Sequence, residues 1–264
     1  MIKGAMHVHS TYSDGEFTLA ELRELFLAEG CAFVCMSDHA EYFDEDRVSH
    51  YCRECEILSD EKICIIAGLE YRCDREMHIL GYGASILTKV INPEEIIQHI
   101  SSQGAISVIA HPKTEFFSWI EGFRNLPRGI ETWNSKYDGR YAPRPATFAL
   151  LQTLKQRNPA MLAFYGQDLH WKKQFHRLFV ELDCDSSSPK EILAAINDGR
   201  YVGRKNSWEM PSNGILSPDL LARFGRMQAR SSSMWRMVKN IKTLLDRFGI
   251  SVPQSLKGSL RRVF

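Results

Sequence analysis

Residues 6–16 read MHVHSTYSDGE, two histidines one residue apart ahead of an Asp-Gly turn. Residues 2–9 have the character of a strand, in which successive side chains alternate between faces. His7 and His9 therefore project to one side, and Met6 and Val8 to the other. Two neutral imidazoles converging on one point suit a divalent cation. A polar strand end with two solvated histidines fits the fragment equally well, so the rest of the chain must decide.

Working outward, a strand-then-helix rhythm runs through most of the sequence. Thr18-Leu-Ala-Glu21 is a capping box that opens a helix, with Phe17 and Leu22 spaced for a hydrophobic staple. Gly30 closes that helix. CAFVCMSDH (31–39) reads as a buried strand, followed by a polar helix over about 44–59. KICIIAGLEYR (62–72) and MHILGYG (77–83) are further strands, and Asn92-Pro93-Glu94-Glu95 starts another helix. Strands AISVIAHP (105–112) and GIETW (129–133) follow, then a helix near 145–157. AMLAFYGQDLH (160–170) and RLFVELDCD (177–185) are strands; Ser188 caps one more helix, and RYVG (200–203) closes the series.

Such alternation predicts parallel βαβ units. His9, His39, Glu70, His111 and His170 all fall at or just past the C-terminal ends of different strands. A closed α/β barrel gathers those ends on one rim, where barrels of this kind carry their chemistry. An open sheet would string them along an edge. The barrel is the architecture this pattern favours.

The 264 residues are 44% hydrophobic and 25% charged, which is ordinary for a soluble globular chain with a substantial core. No segment approaches the length of a membrane span, and His7 comes too early to follow a cleaved signal peptide. Seven irregularly spaced cysteines (31, 35, 52, 55, 64, 73 and 184) point to a reduced, cytoplasmic chain without a disulfide framework. Cys52-Arg-Glu-Cys55 lacks the second pair that a zinc site of that spacing needs.

The formal charge of +1 conceals an asymmetry. Residues 223–264 hold ten Lys and Arg against Asp246 alone, a charge of +9, which leaves −8 on residues 1–222. Trp235, Val238, Ile241, Leu245 and Phe248 fall near helical spacing there. The expected organisation is a barrel over 1–222 and a basic amphipathic helical extension over 223–264.

Nine side chains belong together: His7, His9, Asp14, His39, Glu70, His78, His111, Asp168 and His170. They include six of the nine histidines; His50, His99 and His176 look like surface residues. Singly, each has an ordinary structural explanation, such as a turn aspartate or a strand histidine bonded to a carbonyl. Jointly, those explanations require nine coincidences on one rim.

The series HVHSTYSDG, SDH, GLE, HILGYG, IAHP and GQDLH, over residues 7–170, closely resembles the PHP (polymerase and histidinol phosphatase) metallohydrolases. The resemblance implies a distorted seven-stranded (β/α) barrel and a cluster of two to three divalent metals. It implies one metal on His7, His9, Glu70 and Asp168, a second on Glu70, His78 and His111, and a third on Asp14, His39 and His170. The departure lies in Gln167 and Leu169, where the family more often has small residues.

Mixed imidazole and carboxylate ligands suit manganese, iron or zinc. Bridged cations acidify a shared water and neutralise phosphoryl charge, so the expected reaction is hydroxide attack on a phosphate ester. The loop NSKYDGRYAPR (134–144) supplies Lys136, Arg140 and Arg144 as candidates for gripping the phosphate. The expected activity is that of a metal-dependent phosphoric ester hydrolase acting on a small phosphorylated metabolite or nucleotide. Two alternatives stand beside it: an exonuclease that meets nucleic acid through the basic tail, and a non-catalytic metal-stabilised scaffold.

Overall fold

Helix starts are written locally, and the computed structural model follows them. It describes residues 1–185 and 188–247, the backbone alone at 232 and 234–247. β1 (Ile2–Val8) leads to α1 (Leu19–Ala28), where Thr18 accepts from the Glu21 amide and the Glu21 carboxylate accepts from the Thr18 amide. β2 (Phe33–Met36) and β3 (Asp38–His39) are separated by Ser37 alone. α2 (Glu45–Leu58) is capped by Asp44, and β4 (Cys64–Ile66) and β5 (Gly68–Arg72) are separated by Ala67 alone. After β6 (His78–Tyr82), Asn92 caps α3 (Pro93–Ser102), which buries Ile96, Ile97 and Ile100. β7 (Ile106–Ile109), α4 (Phe117–Glu121), β8 (Gly129–Asn134), α5 (Pro145–Lys155) and β9 (Leu162–Gly166) come next. β10 (Phe179–Leu182), α6 (Pro189–Asn197), β11 (Tyr201–Lys205), β12 (Trp208–Pro211) and α7 (Pro218–Arg247) complete the order.

The strands form two six-stranded mixed sheets, β12-β11-β10-β1-β2-β4 and β3-β5-β6-β7-β8-β9. Because β2 runs into β3 and β4 into β5, the same two stretches of chain belong to both. At the far end, Gln167 N donates to Met6 O (2.9 Å) and His9 N to Leu169 O (3.0 Å). The segment after β9 thus lies along the end of β1, joined by a parallel bridge between Val8 and Leu169.

The expectation of parallel pairing throughout is corrected at two places. β6 runs antiparallel to both β5 and β7. Residues 73–77 are too few for the crossover of a dozen or more residues that a parallel return needs. β10 is antiparallel to β1 and to β11, and a strand that the sequence reading did not anticipate, β12, pairs back on β11 through Asn206-Ser207. Asn206 has φ 53°, the left-handed conformation that a two-residue hairpin loop requires.

The chain divides into two compact units, Met1–Leu216 and a second that starts at Ser217. In the second, α7 is a continuous helix to Arg247. The rest of the basic extension, including Phe248, Lys257, Arg261 and Arg262, lies outside the described residues, as do the side chains of its expected apolar face from Trp235 onward. No helix among the described residues is long and apolar enough to cross a membrane. All seven cysteines are free thiols.

Gly68 shows how closely β5 is seated. A Cβ there would stand 2.5 Å from Met36 O and 2.8 Å from Gly81 O, both backbone atoms of neighbouring strands. Gly68→Ala is therefore expected to cost about 1–3 kcal/mol of stability by overpacking, read as a lower urea midpoint at unchanged slope.

Candidate metal centre

All nine residues singled out from the sequence arrive in one cluster. His7 and His9 sit at the end of β1, where the pairing with β2 shifts register between Met6 and Val8 and His7 takes φ 61°. The two rings do share a side, but through this irregularity and not through plain alternation. Asp14 lies on the following loop, which is pinned by the buried Asp38 carboxylate accepting from Ser10 N, Ser10 Oγ and Ser13 Oγ. His39 ends β3, Glu70 is central in β5, His78 opens β6, His111 follows β7, and Asp168 and His170 follow β9.

Glu70 stands at the middle. Its Oε1 is 3.0 Å from His78 Nδ1 and 3.3 Å from His111 Nε2. Its Oε2 is 3.2 Å from His9 Nε2, 3.4 Å from His7 Nε2 and 3.5 Å from His39 Nδ1. Asp168 Oδ1 lies 3.8 Å from Nε2 of both His7 and His9 and 3.1 Å from His170 Nδ1. Asp14 Oδ1 faces His170 Nε2 at 3.2 Å and His39 Nε2 at 3.7 Å. Four overlapping groups have donor atoms within 4.8 Å of one another: His9-Asp14-His39-His170, His7-His9-Asp168, His7-Glu70-His111 and His39-Glu70-His78.

The donor set fits divalent cations. Both ring nitrogens of His9, and Nδ1 of His39 and of His78, are buried and make no hydrogen bond among the described residues. Buried polar atoms left in that state are costly unless something else takes their lone pairs.

Charge in the cluster is strongly coupled. Burial works to neutralise Glu70 and Asp168, yet the positive His7 and the hydrogen bonds of neighbouring histidines hold both carboxyls well below the usual range. Burial, with His170 and His7 nearby, lowers His9 to about 3, so it is a neutral donor. Burial opposes protonation of His170 as well, but its bonds to Asp14 and Asp168 prevail and raise it to about 9.

The sequence reading did not single out Glu131. This buried carboxylate accepts or shares the proton at His7 Nδ1 (2.8 Å) and accepts from the His111 amide (2.8 Å) and from Asn134 Nδ2 (2.9 Å). Asn134 Nδ2 also donates to Asp168 Oδ2 (3.0 Å). His7, His111 and Asp168 have φ of 61°, 28° and 52°, so Glu131 and Asn134 reach every cluster member whose backbone is left-handed. Gly166 makes room for it: a Cβ there would lie 1.7 Å from Glu131 Oε1. The available signal was an acid inside the short strand GIETW.

The three phosphate-gripping candidates have separate positions. Lys136 Nζ reaches into the cluster, 3.0 Å from Asp168 Oδ1. Arg144 is bound to Asp138 and to Pro112 O. Arg140 lies over the Tyr141 ring, 4.7 Å from its centroid. His176, expected on the surface, is partly buried and bonded through Nδ1 to Ser135 O (3.0 Å). A cleft of about 440 Å³, lined by Ala40, Glu41, Tyr71, Arg72, Glu76 and Ile91 among others, begins one residue beyond His39.

The PHP domain model matches residues 5–182, and the chain belongs to the PHP family. It is 29% identical over 135 residues to the DNA polymerase/3'-5' exonuclease PolX of Bacillus subtilis, a match covering 42% of this chain and 23% of that protein. The chain therefore spans about a quarter of the length of that relative. Two solved structures share the fold. One is a Bacteroides vulgatus two-domain protein containing a predicted PHP-like metal-dependent phosphoesterase (TM-score 0.58, 18% identity, 85% of this chain and 69% of that one). The other is PsfC from Pseudomonas syringae (TM-score 0.55, 13% identity, 87% and 98%).

Two outcomes follow from the cluster. Glu131→Gln is expected to weaken metal binding ten- to a hundredfold, roughly the effect of removing a group that orients a ligating histidine, as measured by competition with a chelator. The bonds to Asp14 and Asp168 raise His170 to about 9, so a cation taking His170 in the outer group has to displace a proton. Apparent affinity should therefore rise with pH by up to about tenfold per unit until that point, as followed by calorimetry in buffers of differing ionisation heat.

Proposed function

We propose that this protein is a metal-dependent phosphoesterase that hydrolyses a phosphate ester of a small metabolite or nucleotide. The single observation that carries the reading is Glu70, whose two oxygens face different sets of histidines, as a carboxylate bridging two cations must. His7, His9, Glu70 and Asp168 would hold one cation, Glu70, His78 and His111 a second, and Asp14, His39 and His170 a third, with manganese, iron or zinc suited to such donors. Divalent cations held there supply an acidified water and offset charge on a phosphoryl oxygen.

The chain's own residues do the rest. Glu131 keeps the His7 ring turned so that Nε2 faces Glu70 and Asp168. Lys136 brings a positive charge to the substrate side of the cluster, and Arg140 and Arg144 stand on the same loop for a phosphate. The closing contacts between β1 and the segment after β9 support reading the strands as a distorted (β/α)7 barrel, and the charge difference between 1–222 and 223–264 supports reading the latter as a basic extension. Seven free cysteines suit a cytoplasmic location.

A second reading, an exonuclease acting on oligonucleotides, is favoured by the similarity to PolX and by the basic extension. Both are tested by one panel: phosphorylated metabolites, nucleotides and short oligonucleotides, assayed with chelator-stripped protein before and after manganese addition. Manganese-dependent release of phosphate from small esters supports the first reading. Turnover confined to oligonucleotides supports the second, and no turnover at all leaves the scaffold.

Glu70→Gln is expected to reduce turnover to the chelated background and to lower bound metal per chain. Arg140→Ala is expected to leave metal content intact and raise KM roughly ten- to a hundredfold, the loss of one charge-assisted hydrogen bond.

A further inference from the structure

Among the described residues, Lys136 is the lysine or arginine that pairs with a member of the cluster. Its Nζ lies 3.0 Å from Asp168 Oδ1 and 3.3 and 3.4 Å from His170 Nδ1 and Nε2. The side chain is held there. Its own amide donates to Asn134 Oδ1 (3.1 Å), and Asn134 is bonded in turn to Glu131 and Asp168. Lys136 is therefore part of the same network that positions the ligands.

The place it occupies matters because the cluster is graded from inside to outside. His7, His9, Glu70 and Asp168 are almost wholly buried, whereas the outermost group relies on one carboxylate, Asp14, whose side chain is 36% exposed. That group takes His170 through Nε2, the atom facing Asp14 at 3.2 Å. A cation on this nitrogen would stand about 2 Å from it, beside an ammonium 3.4 Å from the same atom. Like charges so close repel. The ammonium also offsets part of the charge on Asp168, whose Oδ1 lies 3.1 Å from His170 Nδ1.

We propose that Lys136 is a fixed cation standing in for a third metal, so that this chain holds two divalent cations tightly and a third weakly. The inference rests on the metal-centre reading above and deepens it. It places beside the outer position a protein ammonium, which meets a phosphoryl oxygen as a point charge and which no chelator removes. A phosphate bound across the cluster would then touch metals on its inner side and Lys136 on its outer side.

The test is a manganese titration of the chelator-stripped full chain by calorimetry, with metal per chain counted after desalting. Wild type is expected to keep two equivalents and to bind a third at least tenfold more weakly. Lys136→Met, which keeps the length of the side chain and removes the charge, is expected to keep three, with the third tightened at least tenfold. Lys136→Arg is expected to behave as wild type, which separates charge from packing should the Met variant fold poorly. Three tight equivalents in wild type, or identical titrations for wild type and a folded Met variant, would overturn the proposal and leave the phosphoesterase reading intact. A wild-type chain that binds no manganese would overturn the metal centre itself.

Discussion

A single buried carboxylate organises the centre of this protein. Glu131 is bonded to the ring of His7, to the amide of His111 and, through Asn134, to Asp168. These are the three cluster residues held in left-handed backbone conformations. Each such residue costs on the order of 1–3 kcal/mol, and three together rival a sizeable share of a domain's net stability of roughly 5–15 kcal/mol. The structure must over-determine them, and one acid with four lone-pair directions does much of that. It does so from strand β8, a rigid element buried at every position, and not from a loop.

Glu131 acts on the candidate ligands from behind. By engaging Nδ1 of His7 it leaves Nε2 for Glu70 and Asp168, which fixes the useful nitrogen. Around it the carboxylates and imidazoles compensate one another, so that neither set is left as an uncompensated buried charge. The hydrogen bonds that orient these rings and carboxylates come from the protein's own groups, Glu131 and Asn134.

Much of this was legible in the sequence because the residues concerned are rare and periodic. Histidines two apart at strand ends, an acid in GLE and a histidine before a proline stand out against an apolar background, and all nine meet in space. Helix starts at Thr18, Asp44 and Asn92 were equally plain, since capping is a local interaction. What could not be read was direction and depth. An antiparallel β6 has the same apolar pattern as a parallel one, and only the shortness of residues 73–77 hinted at the reversal. β12, in WEMP, alternates too weakly to announce a strand. Glu131 is one acid in a short strand, which looks like an exposed position until burial is known.

One consequence concerns time. β1 carries His7 and His9, while Asp168 and His170 come some 160 residues later, after β9. At a synthesis rate of about 5–20 residues per second, the first pair of histidines is made roughly ten to thirty seconds before its partners. Through that interval β1 has neither the segment after β9 nor β10 to cover it. Long-range closures of this sort are the slow step of folding. All nine side chains of the cluster therefore meet only after residue 170 has been made, although the groups built on Glu70, His78 and His111 are complete by residue 111.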